Sequence, residues 1–368
     1  MSESLLLAVG TRKGLWLGRS HDGGAGWEFT GPHHPMTGVY SVLIDTRPAV
    51  GGGQVRLLAG VVSEHFGPAV AASDDLGASW GEPVVATVAF PKDTGASVER
   101  VWQLQPGPPA EPETVYAGVE PSALFRSGDG GRSFELVRGL WDHPHRPHWE
   151  PGFGGMAIHT VLPHPTEPGD VTVAMSTGGV YRTTDDGKTW HASNTGIRAY
   201  FLPDNEYPEF GQCVHKIARH PAYPERLFLQ NHHGVYRSDD GGATWVSIAD
   251  GLPSDFGFPI AVHPHRPETV YAFPLTADAM RFPPEGRCRV YRSDDAGGTW
   301  APLGDGLPGG GFWTAVMRDA LCLDDAAEPS VYFGTRSGEV YVGREGGAHW
   351  TRIAEHLPDV LCVRAATV

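Results

Sequence analysis

The chain runs to 368 residues with 49 Gly, 32 Pro, 4 Cys and a formal net charge of −15. Its 40% hydrophobic content and 11 Trp exclude a disordered chain in spite of the Gly and Pro. The acidic excess, with no Lys/Arg run to offset it, excludes nucleic acid and anionic membrane surfaces as partners.

In chain order, the first predicted element is a strand, LLLAV (5–9). It lies in an N-terminal stretch with no basic segment and too few apolar residues for a leader peptide or a membrane span, so a cytoplasmic location is expected. The rest of the chain is repetitive. A β-branched or aromatic run ending in Ser-x-Asp-x-Gly-x-x-Trp occurs as LWLGRSHDGGAGW (15–27), AVAASDDLGASW (69–80), ALFRSGDGGRSF (123–134), VYRTTDDGKTW (180–190), VYRSDDGGATW (235–245), VYRSDDAGGTW (290–300) and a worn VYVGREGGAHW (340–350). The acids of these seven copies, from Asp22 to Glu345, succeed one another at 50 to 56 residues, so the period fills residues 1–368 and leaves no room for a second domain.

Before each later phrase stands a second apolar run, such as VRLLAG (55–60) or TVYAFP (269–274), and before that a third: YSVLI (40–44), VWQLQ (101–105), IHTVL (158–162), VHKIA (214–218), FPIAV (258–262) and WTAVM (313–317). With the strand that the Trp begins, each repeat holds four strands, one blade of a β-propeller. The first repeat lacks its innermost strand, and VLCVRAATV (360–368) is expected to supply it. The expected fold is all-β, a single seven-bladed β-propeller of four-stranded blades whose C-terminal strand closes the ring on the N-terminal strand. The Asp and Gly of each phrase are expected to cap tight turns, since one or two carboxylates fall short of a calcium cage. Cys213, Cys288, Cys322 and Cys362 form no C-x-x-C and are read as buried thiols.

The repeated phrase resembles the Asp-box, or BNR, repeat of sialidases, sortilin-type receptors, two-propeller xyloglucanases and a photosystem II assembly factor. The resemblance implies the fold and leaves the activity open, because these relatives share the box and not the chemistry. In the sialidases three arginines hold a substrate carboxylate, a role that would fall here to Arg12, Arg336 and Arg100. The chain departs from the sialidase pattern in lacking Phe-Arg-Ile-Pro and in having seven repeats where sialidases have six blades, so sialidase activity itself is not expected.

The boxes share one face of such a propeller, and with 11 acidic and 3 basic residues between their Ser and Trp positions they make it an acidic underside. The opposite, upper face receives the loops between second and third strands and the longer crossings between blades, where binding residues are expected. Tyr40, Trp102, His159, His215, Phe258 and Trp313 take equivalent places where the inner strands leave this face. They form a collar of rings that either stacks on a sugar or plugs the channel. The matching loops GTRKG (10–14) and GTRSG (334–338) set Arg12 and Arg336 side by side, as a carboxylate clamp or as solvated turn residues.

Glu64, His65, Glu120, His159, His215 and His232 are the acid/base candidates, and His148 and Glu150 are substrate-binding candidates on the long crossing that contains HPHRPH (143–148). His159, His215 and His232 are also read as ligands for a divalent transition metal. These residues suit two functions. One is an enzyme, a hydrolase or lyase, acting on a small anionic or saccharide-like substrate in the upper central cleft. The other is a non-catalytic binding or assembly propeller resembling sortilin-type or photosystem II assembly modules.

Overall fold

Runs such as Leu5–Thr11, Val115–Glu120 and Val171–Met175 are buried at every position. Continuous burial is what a strand covered on both faces by neighbouring sheets requires. The computed structural model describes residues 4–48, 55–63, 65, 67–82, 84–85, 87–152, 155–200, 205–276 and 279–368. In it the strands assemble into seven four-stranded antiparallel sheets, numbered here as blades 1 to 7 in chain order. Blade 1 is built from Val360–Thr367, Leu5–Thr11, Gly14–Ser20 and Glu28–His33, with Leu5 opposite Thr367 and Thr11 opposite Val360. The C-terminal strand thus closes the ring as expected. The inner strands Gly38–Asp45, Arg100–Pro106, Ile158–Pro163, Val214–His220, Gly257–His263, Leu321–Leu323 and Val360–Thr367 each adjoin the next, and the last adjoins the first. Among the described residues no helix is long and apolar enough to cross a membrane.

The repeated phrase earns its residue types locally. Ser20 Oγ donates to Asp22 Oδ1 at 2.7 Å and accepts from Gly24 N–H at 2.9 Å, while Asp22 Oδ1 accepts from Gly26 N–H at 2.9 Å. The same bonds recur around Asp75, Asp129, Asp185, Asp240 and Asp295, where a Ser or Thr hydroxyl also donates to the second carboxylate oxygen. These donors hold Asp75 and Asp185 at a pKa of about 2. In blades 5 and 6 the tryptophan at the end of the phrase ties its blade to the one before: Trp245 Nε1 donates to Ser193 O at 2.9 Å and Trp300 Nε1 to Ile248 O at 2.8 Å, whereas Trp27 and Trp190 bond within their own turns.

A second device ends the inner strands. Asp45, His164, His220, His263 and Asp324 are buried at equivalent places. Each accepts, through Oδ1 or Nδ1, the backbone N–H two residues on, at 3.1 to 3.3 Å. Counting back from Asp324 corrects the expected layout of blade 7. Residues 313–317 form no strand, and the inner strand is Leu321–Leu323. The apolar alternation of WTAVM imitates the pattern of an inner strand but stands too far from the capping aspartate.

The centre of the ring is polar. Lys216 Nζ donates to Asp319 Oδ1 at 2.7 Å, to Gln103 Oε1 at 2.9 Å and to His159 O at 3.4 Å, and Arg364 Nη2 donates to Asp319 Oδ1 at 2.6 Å. Burial works against the Asp319 carboxylate, but the two cations overcome it and its pKa falls below the ordinary value. This cluster joins five blades across the axis and floors the space above it.

Candidate functional site

In six of the blades the inner strand opens at the upper face by a bulge. The pairing skips Tyr40, Trp102, His159 and His215 in blades 2 to 5, Phe258 with Pro259 in blade 6, and Leu361 in blade 1. A bulge of this kind bends the strand and re-aims a side chain. In blade 7 the equivalent residue, two before Leu321, is Asp319.

Above this collar lies a cavity of about 390 Å³. Its lining comes from all seven blades. Five guanidinium groups face it, from Arg12, Arg100, Arg281, Arg318 and Arg336, against the carboxylates of Glu120 and Asp319. Tyr40 and Trp102 meet edge to face at 5.2 Å, and His215 lies 4.9 Å from Phe258.

Arg12 Nε and Arg336 Nη2 both reach Asp359 Oδ2 at 3.0 Å, so the two matching loops are neighbours and already clasp one carboxylate. Glu120 Oε2 accepts from Arg100 Nη1 at 2.6 Å and from Trp102 Nε1 at 2.9 Å. Gly155, at φ +88°, presses on this carboxylate, and a Cβ there would collide with Glu120 Oε1. Arg318 differs from the others. It is only 7% exposed, and its guanidinium lies 5.3 Å from the Trp102 ring and 5.9 Å from the Phe258 ring. Among the described residues it makes no hydrogen bond or ion pair, and its Nε has no partner. Burial lowers its pKa.

On the opposite wall, His215 Nδ1 lies 2.6 Å from Gly257 O and its Nε2 3.7 Å from Cys213 Sγ. His232 completes the group, its ring 5.3 Å from that of His215. Burial pushes the Cys213 thiol up and holds His215 well below the usual imidazole range, and nearby Arg318 depresses His215 further.

Other expected residues stand elsewhere. His159 is fully buried outside the cavity lining, 3.4 Å from both Thr160 Oγ1 and Ser176 Oγ. Trp313, 64% exposed, lines a separate surface groove with Met280, Arg281 and Arg336. His65, His148 and Glu150 are exposed and outside the cavity, and Glu64 lies outside the described residues. The HPHRPH segment packs on blade 4, where His145 stacks on Phe210 at 4.1 Å and bonds the Tyr181 hydroxyl at 3.1 Å. Sequence reasoning missed Cys213, Arg281, Arg318, Asp319 and Asp359. The first had a signal in Cys-Val-His, since residues two apart on a strand share a side.

No protein-family model matches the chain. Among curated proteins, 185 residues are 29% identical to a probable oligoxyloglucan-reducing end-specific xyloglucanase of Neosartorya fischeri, covering 49% of this chain and 19% of that protein. An oligoxyloglucan-reducing end-specific xyloglucanase of Emericella nidulans is 27% identical over 196 residues, 51% of this chain and 20% of that protein. The chain therefore spans about a fifth of the length of the curated relatives it matches. Among solved structures, YCF48 bound to D1 peptide aligns with a TM-score of 0.53 over 85% of this chain and 81% of that chain at 14% identity, a likeness of fold.

Proposed function

We propose that residues 1–368 form one Asp-box propeller whose upper central cavity binds and transforms a small anionic, saccharide-like substrate, as a hydrolase or lyase. The observation that carries this reading is Arg318. Its Nε is buried without a partner and its cavity-lining Nη groups make no hydrogen bond among the described residues, so a ligand carboxylate or phosphate would complete them. Tyr40 and Trp102 offer partly exposed rings to a sugar, and a cavity of about 390 Å³ suits a molecule the size of one or two sugar rings. Similarity to xyloglucanases over half the chain supports a saccharide. Glu120 is the acid/base candidate within this wall, with Arg100 and Trp102 orienting it. Glu120 and Asp319 are the two carboxylates of the lining, and both are engaged in ion pairs. That favours a small acid over a glycan chain cut by a free carboxylate pair. Four free cysteines accord with a reducing, cytoplasmic setting.

A second reading, a partner-binding propeller, is favoured by the exposed Trp313 and Met280 at the rim, since exposed aromatic and apolar side chains serve as interface anchors. Thermal unfolding with glucuronate and with glucose separates the two. The enzyme reading expects the melting temperature to rise with glucuronate only, and the rise to vanish in the Arg12→Ala/Arg336→Ala double variant. Equal responses to both sugars, or none, would favour the partner-binding reading.

A further inference from the structure

Cys213, His215 and His232 each offer one ligand atom, and the three atoms lie within 4.8 Å of one another in one wall of the cavity. We propose that these residues form a binding site for a divalent transition metal of the zinc type, with a fourth coordination position open to the cavity.

The backbone prepares the group. Cys213 and His215 enter blade 5 at the start of its inner strand, and the bulge at His215 turns that ring toward the cavity. His232 comes just after the second strand of the same blade, and its N–H donates to Cys213 O at 2.8 Å, which fixes the two segments against each other. The tautomer is also set. Gly257 O can only accept, so the Nδ1 of His215, 2.6 Å away, carries the hydrogen and Nε2 presents its lone pair toward Cys213 Sγ. An outer hydrogen bond of this kind orients metal-bound histidines generally. A tetrahedral ion bound at about 2.3 Å by sulfur and about 2.0 Å by nitrogen holds those two atoms roughly 3.5 Å apart. The observed 3.7 Å is close to that span.

One thiolate and two imidazoles select borderline and soft ions over Mg²⁺ or Ca²⁺, and three protein ligands with an open position are the pattern of a reactive rather than a structural site. Arg281 and Arg318 line the same cavity and oppose a bare dication. The thiolate cancels one of its charges, and an anionic fourth ligand would cancel the other. This last coupling rests on the anionic substrate proposed above, whereas the three ligands do not. His159 takes no part. Without a metal, Cys213 and His215 would instead be a thiol nucleophile and its base.

Titrating metal-free protein, prepared without a histidine tag, with Co²⁺ tests the site. One Co²⁺ per chain is expected, with a near-ultraviolet sulfur-to-cobalt band and the visible bands of a four-coordinate ion. Cys213→Ser should lose the sulfur band, and His215→Gln and His232→Gln should weaken binding about tenfold or more. His159→Gln should leave both unchanged. Thermal unfolding guards against misfolding: metal-free Cys213→Ser should melt with the wild type, and Zn²⁺ should raise the melting temperature of the wild type but not of Cys213→Ser. No sulfur band, a band surviving in Cys213→Ser, or unchanged binding in His232→Gln overturns the site. Rapid alkylation of Cys213 by iodoacetamide that Zn²⁺ fails to slow would assign the pair to thiol chemistry instead. An intact cobalt spectrum with no glucuronate response would sink the anionic substrate and leave the metal site standing.

Discussion

Replacing Arg318 with Met is expected to stabilise the ligand-free protein and to abolish its response to anions. The side chain is largely buried, its Nε is cut off from water without a partner, and its two Nη atoms, which line the cavity, make no hydrogen bond among the described residues. Its compensation is the two flanking rings and the nearby Asp319, whose carboxylate already serves Lys216 and Arg364. Desolvated cation–π contacts return up to about 2 kcal/mol, while the effective cost of an unpaired buried ion is several kcal/mol, reduced here because the Nη atoms line the cavity. Met keeps an unbranched stem and fills the space without a charge, so a net gain of about 1–4 kcal/mol is expected. For 368 residues, an unfolding entropy of about 2.1 cal/mol/K per residue makes 1 kcal/mol worth about 1.3 °C, which places the rise in melting temperature at about 1–5 °C. Calorimetry with and without glucuronate reads both halves: the wild type should start lower and climb, and Arg318→Met should start higher and stay. A variant melting below the wild type would show that the guanidinium is paired after all. A preserved climb would remove Arg318 from the site.

Two further outcomes test the scaffold. Deleting residues 360–368 removes the inner strand of blade 1 along with Arg364, and cooperative unfolding should be lost; a truncated chain with the native melting temperature would contradict closure by this strand. Acid sensitivity should come partly from the strand-end histidines. His263 accepts the N–H of His265 at 3.1 Å through Nδ1, and burial, aided by Arg266, lowers its pKa from 6.5 to about 4. Because the unfolded chain takes up the proton first, this contribution is complete above pH 6.5 and is lost as the pH falls toward about 4. His263→Asn retains an acceptor where blades 2 and 7 use Asp, so its melting temperature should fall less steeply across that window, and parallel slopes would rule out the histidine.

The blade plan was readable because its signals are local. Ser, Asp and Gly recur where one turn needs a hydroxyl, a carboxylate and a left-handed backbone within five residues, and the same bonds form in six of the blades. Ring closure was readable for a related reason: one blade was a strand short, and the chain ended in an apolar run of matching length. The collar came from equivalence, since the bulge that aims Tyr40 also aims Trp102, His215 and Phe258. Alignment by apolar alternation failed at Trp313, because alternation recurs wherever a loop carries spaced apolar residues, whereas the buried cap at the strand end does not.

The same misalignment hid Arg318. Just before the bulge, blades 1 to 5 place Val360, Val39, Val101, Ile158 and Val214, all fully buried, and blade 6 places Gly257. Blade 7 places Arg318 there, and next to it Asp319 where its neighbours carry a ring, Leu361 or His215. A repeated fold fixes which positions meet the axis but makes them alike, so a specific site needs a repeat that breaks the pattern. A charge in an aliphatic slot is such a break, and aligning blade 7 on Asp324 would have exposed it. Cys213 is another kind of break: the Cys-Val-His spacing pairs it with His215, but His232 joins them only once the blade is folded. The arginine departs from a pattern written in the repeats, while the thiol gains its meaning from neighbours 2 and 19 residues away, the farther of which only the blade brings to it.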